Sequence, residues 1–199
     1  MTISFKRNVQ IVAFLLFALV ATQLVFTLLY NSGIAGPRPY VWGLEGALFT
    51  ILAAFAGTAM VQTKNYHLGW SAITFSAILN VIQVSIGLKL FGPFGAAAQQ
   101  VEAIGPLTGA VVAFSFMIYN TGKILLGLAP LNFGMAKMQS GSKALGGLSA
   151  LAGGAALLAN AALVVFGRDG FLPPAVAGGL GVAATLLLAL VLMNNTQED

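Results

Sequence analysis

The 199-residue chain has no cysteine, a single histidine, and very little charge: nine basic and five acidic residues. The missing cysteines exclude disulfides, thiolate metal sites and cysteine nucleophiles. One histidine, His67, cannot supply an all-histidine metal or haem site. Charged residues are 7% of the chain, against about a quarter in an ordinary globular domain. A water-soluble fold could not cover its surface with so little polar material. What is present instead is apolar: 58% hydrophobic residues and a mean hydropathy of +0.92. The lipid bilayer is the implied solvent.

Catalytic motifs are missing too. The sequence holds no phosphate-binding loop with lysine, no HExxH and no Gly-x-Ser-x-Gly elbow. Ser76, Ser85 and Ser115 have no histidine partner at membrane depth, because His67 falls in a polar loop. Glu45 has no acidic companion within a span, so an intramembrane enzyme acting on lipid would need a second ionisable group to meet it in space. The reading points away from an enzyme and calls for no cofactor and no metal.

A helix crosses the hydrocarbon slab in about 20 residues, and six segments meet that test. They run over about 9–30, 41–61, 68–91, 106–128, 145–166 and 174–193. The first stays apolar past the length of a secretory leader and reads as a retained span. Between spans lie turn-forming stretches: Asn31 to Pro39, Gln62 to His67, and Arg168-Asp169-Gly170 followed by Pro173-Pro174. The short piece Ala96 to Ile104 fits either a surface helix or a re-entrant segment. Ala129 to Lys143 is expected to return along the membrane surface, and the chain closes on a polar tail with Glu198 and Asp199. Trp42 and Trp70 are placed at opposite headgroup levels.

The predicted fold is all-α, a polytopic membrane bundle of six transmembrane helices forming a single domain over 1–199. Six crossings leave both termini on one side. Lys6, Arg7, Lys64, Lys137 and Lys143 lie on that side, against Arg38, Lys89 and Arg168 on the other. The positive-inside rule therefore predicts cytoplasmic termini in a multi-pass protein of a bacterial inner (plasma) membrane. The net charge of +4 then belongs to topology and to membrane lipids as partners, with no nucleic acid.

Lipid tails give no hydrophobic reason for helices to associate, so close backbone approach and interhelical hydrogen bonds must hold the bundle. Gly146, Ala150 and Gly154 on span five, and Ala175, Gly179 and Ala183 on span six, recur every four residues and predict that these two spans pack together. Gly46, Thr50, Ala53 and Gly57 make a similar stripe on span two. Spans one to four carry most of the polar atoms, which suggests a working half and a supporting half.

A polar group in hydrocarbon costs free energy unless it is paired. Glu45 sits about five residues into span two, roughly 7 Å deep. Three readings stay open for it: a pair with Lys89, a site for a proton or cation, or snorkelling to the interface. Gln23, Gln83 and Asn160 fall at nearly equal depth, and Asn80 and Ser76 continue the Gln83 face. Asn120 and Lys123 are three apart on span four, with Tyr119 and Thr121 beside them; Lys123 is expected to snorkel. These amides are either structural glue or the lining of a polar pocket between spans one to four, with Glu45, Gln23, Asn80, Gln83, Asn120 and Lys123 as ligand-binding residues. Phe14, Phe17, Phe26, Phe49, Phe55, Phe75, Phe114 and Phe116 could line its apolar part. The expected function is binding or transport of a small polar or amphipathic molecule. The alternative is a non-catalytic accessory or scaffold subunit of a larger membrane complex, with a second copy or another membrane protein as partner.

Overall fold

The computed structural model describes residues 3–167 and 170–194. Arg168, Asp169, Glu198 and Asp199 lie outside them. Seven α-helices run in chain order: α1 (Phe5–Asn31), α2 (Arg38–Gln62), α3 (His67–Ile86), α4 (Gly92–Gln100), α5 (Gly105–Gln139), α6 (Lys143–Phe166) and α7 (Pro174–Met193). A π-helical turn, Gly87–Phe91, joins α3 to α4, and a 3-10 turn, Glu102–Ile104, leads into α5. With these joints counted, six helical segments are long and apolar enough to cross a membrane, starting at Phe5, Arg38, His67, Glu102, Lys143 and Pro174. This is the architecture of a multi-pass membrane protein.

Two segments differ from the expectation. Ala129 to Gln139 does not turn along a surface; α5 continues straight through it. Pro130 forfeits its bond to the carbonyl one turn back, yet its own carbonyl accepts from Ser149 Oγ of α6 at 3.2 Å. Packing against α6 holds the helix where the proline alone would end it. Gly92-Pro93 likewise reads as a break, but α3 passes into α4. The carbonyl that the Pro93 ring would crowd belongs to Lys89, inside the widened π-helical turn, which makes room for it.

Helix neighbours form a closed ring: α1 packs on α2, α2 on α3, α3 on α5, α5 on α7, and α7 on α1. The remaining span, α6, which is the fifth in chain order, lies outside this ring against α5 and α7. Among the described residues no Cα of α2 comes within 8 Å of α5 or α7, nor any Cα of α1 within 8 Å of α3 or α5, so these helices meet only through side chains such as Phe5 and Trp70. The interior is therefore filled by side chains or left open.

At the end carrying Ile3 and Asn194, here the near end, it is filled. Val12, Ala13, Leu16, Phe49, Leu52, Trp70, Ile73, Phe133 and Leu188 belong to one apolar core. Trp70 is inside this core, with its ring 6.0 Å from Phe5 and 5.2 Å from Phe133. Asn8 donates to Gln62 Oε1 at 3.1 Å, and Gln62 donates to the Ile3 carbonyl, tying α1 to α2. At the opposite, far end a small second core of Ala159, Leu163 and Ala177 lies between α6 and α7, but the other spans bury little. No residue in 21–31 of α1, 38–44 of α2 or 105–114 of α5 is buried.

The tightest packing is between α5 and α6. A Cβ on Gly134 would lie 2.7 Å from the α6 backbone, and one on Gly146 2.6 Å from the α5 backbone. Gly127 and Gly153 face each other in the same way. The small-residue face of span five thus serves α5 through Gly146, Ala150 and Gly153, while Gly154 points into open space. On α7 the inward face is Ala177, Gly181, Ala184, Thr185 and Leu188. Ala175, Gly179 and Ala183 are exposed, so the predicted seam between spans five and six does not use them.

Candidate functional site

Where the filled near end gives way to the open far end, four polar side chains from three helices meet. Glu45 projects from α2 and is only 8% exposed. The Gln23 side chain of α1 reaches hydrogen-bonding range of its carboxylate, the amide N–H donating. From across the ring, Lys123 of α5 is 2% exposed and is the cation whose charge acts on Glu45. Its stem runs past Gly181 of α7, where an added Cβ would lie 3.6 Å from Lys123 Cδ. Its ammonium sits over the Tyr119 ring, 5.2 Å from the centroid. The α2 and α5 backbones are not neighbours, so the Lys123 charge acts on Glu45 across the ring interior.

These placements correct two expectations. Lys123 does not snorkel, because it is buried among helices and not directed to an interface. Lys89 does not supply the partner of Glu45; it is exposed at the π-helical turn, and the acting cation is Lys123. The centre is also incompletely satisfied. Lys123 Nζ has no hydrogen-bond partner, and neither does Gln23 Oε1, although both atoms are buried. An unmade hydrogen bond at such a site costs about 1–3 kcal/mol, and more when the group is charged.

One turn further toward the far end, the same helix faces carry aromatic rings. Phe26 follows Gln23 by three residues and Trp42 precedes Glu45 by three. Their ring centroids are 5.9 Å apart, and Phe91 lies 5.8 Å from Trp42 on its other side. Trp42 rests on Gly87, where any Cβ would collide with the indole. The three rings form an apolar collar beside the polar centre. Phe49 is in the near-end core with Phe17 and Phe55 packed against that core, and Phe14, Phe75 and Phe114 face outward, 62%, 54% and 57% exposed.

The amides of α3 are satisfied elsewhere. Asn80 donates to the Ser76 carbonyl at 2.8 Å and abuts Gly122, filling the α3–α5 seam. Gln83 donates to Ser115 Oγ of α5 at 3.3 Å. Asn120 is buried on α5. Asn160 is on α6, outside the ring, and donates to the Ala156 carbonyl of its own helix. His67 is an exposed loop residue, as expected, with Nδ1 3.2 Å from the Met60 carbonyl.

Sequence reasoning passed over three residues. Tyr119 was seen only as a flank of Asn120. Its spacing of four from Lys123 is the signal that puts both on one helix face. Asn8 and Asn132 are buried polar residues of the near end. Asn132 escaped notice because its segment read as a surface return. Among the described residues no group of histidines and carboxylates could hold a metal ion. Comparison with family models, with curated protein sequences and with solved structures finds no match.

Proposed function

We propose that this chain is a membrane protein that binds a small polar or amphipathic molecule at the Gln23, Glu45, Tyr119 and Lys123 centre and holds it or passes it between the two faces of the bundle. One observation carries the reading. Opposite formal charges, both buried and carried by helices whose backbones are not neighbours, act on one another across the ring interior at the level where α1, α2 and α5 cease to bury residues. A residue pair serving only to fasten helices would be expected between neighbours. Ordinary packing also removes unpaired buried polar atoms, and Gln23 Oε1 and Lys123 Nζ are two of the five that remain among the described residues.

The test is binding by purified protein in dodecyl maltoside, read from tryptophan emission, with hexanamide, hexanoate and hexylammonium as probes. Saturable binding of at least one probe is expected, weakened at least fivefold in the Glu45→Gln/Lys123→Met double variant. Asn160→Leu, on the helix outside the ring, should leave it unchanged. If no probe binds saturably, the reading is lost.

A second reading rests on α7. Ala175, Gly179 and Ala183 face outward, and nothing lies within 4 Å of a Cβ placed on Gly179. This small-residue face leaves room for a helix of another membrane protein or a second copy. A stoichiometric partner retained in mild detergent, and released by Gly179→Leu, would favour that accessory role.

A further inference from the structure

We propose that the centre selects a ligand headgroup of no net charge that both accepts and donates hydrogen bonds, a carboxamide or hydroxyl, with its apolar part against Phe26, Trp42 and Phe91. This rests on the binding reading above and adds the class of ligand.

The argument begins with what is left unpaired. Lys123 Nζ can only donate, Gln23 Oε1 can only accept, and both are buried without a partner. The Glu45 carboxylate faces them and accepts only while ionised. A ligand must therefore offer an acceptor to Lys123 and a donor to Gln23 or Glu45. A simple anion meets the first demand but is set against the Glu45 carboxylate. A simple cation meets the second but is set against the Lys123 ammonium. With one formal charge of each sign in the centre, the field penalises either net charge and favours a dipole aligned from Lys123 toward Glu45. A carboxamide matches this arrangement: its carbonyl faces the ammonium and its N–H groups face the two acceptors.

The collar supplies the remaining term. Phe26 and Trp42 are one helical turn from Gln23 and Glu45, a separation of about 5 Å, and Phe91 packs on Trp42. That spacing suits a short alkyl or aromatic group attached directly to the headgroup. Tyr119 closes the opposite side, with its ring beneath the ammonium.

The same three hexyl probes test the inference because they share a tail and differ in charge. In the unaltered protein hexanamide should bind about tenfold more tightly than hexanoate or hexylammonium, or about 1.4 kcal/mol. Removing one charge should invert the order. Lys123→Met leaves Glu45 alone and should put hexylammonium first; Glu45→Gln leaves Lys123 alone and should put hexanoate first. A role in helix packing alone would not reverse a charge preference. Where a single variant fails to fold, the Glu45→Gln/Lys123→Met double variant carries the test, with hexanoate and hexylammonium then binding equally. Ions bound by the unaltered protein as well as the amide, or no inversion in the single variants, would overturn the neutral-headgroup assignment and leave the binding reading intact. Absence of saturable binding by all three would overturn both.

Discussion

The two ends of the ring are made from the same apolar alphabet, yet only one is closed. At the near end Leu16, Phe49, Leu52, Trp70 and Leu188 interlock with almost no exposure, and α6 meets α5 at glycines with no side chain between them. At the far end α1, α2 and α5 run for two to three turns without burying a residue. Hydropathy cannot distinguish these ends, because it scores transfer into lipid and not contact between helices. The difference shows that stability and a candidate binding centre occupy separate levels of one bundle, with the charged pair at their border.

The largest effect should come from attacking the closed part at its tightest seam. Gly134→Leu forces a side chain into α6 backbone, and α6 is pinned by Gly146 and Gly153 above and below. A loss of about 3 kcal/mol, or failure to fold, is expected, measured by thermal melting in detergent with circular dichroism. Gly154→Leu, on the open side of the same helix, should change stability by no more than about 0.5 kcal/mol. Equal effects from the two would erase the distinction between seam and surface.

A smaller effect belongs to the border itself. Gly87→Ala must displace the Trp42 indole, costing about 1–2 kcal/mol. It should also shift Trp42 emission while leaving the near-end helices protected in hydrogen exchange. Loss of protection throughout the bundle would show that collar and core are one unit.

Next come the interhelical hydrogen bonds. Gln83→Leu removes the α3–α5 link to Ser115 and should cost about 1 kcal/mol in a denaturing-detergent titration. Asn8→Ala, which breaks the link to Gln62, should cost about as much. Its mark would be faster exchange confined to the first turn of α1 and the last of α2. The smallest change is expected at Asn160, whose Oδ1 has no partner. Asn160→Leu should be neutral or slightly stabilising, and a clear loss would mean that its amide fastens more than its own helix.

Much of the architecture was legible because span length and apolarity are local properties. The six spans, the buried Ser76, Asn80 and Gln83 face, and the exposed His67 follow from counting along the chain. What failed required knowledge of neighbours. The segment from Ala129 read as a surface return because the packing of α6 that carries the helix through Pro130 is not local. Glu45 was offered to Lys89 by equal depth, whereas ring order sets it opposite Lys123. Gly154 continued a four-residue repeat, but the helix turns its face by 3.6 residues per turn, so the buried partner is Gly153.

The position of α6 outside the ring gives the two charges unequal mountings. Lys123 and Tyr119 belong to a block of α5, α6 and α7 joined by the glycine seam, whereas Glu45 and Gln23 ride on the α1–α2 hairpin. Rocking of the hairpin against that block changes the distance between carboxylate and ammonium directly, because no shared helix carries both. The separation of the two charges is therefore set by how α3 and α7 hold the α1–α2 hairpin against α5.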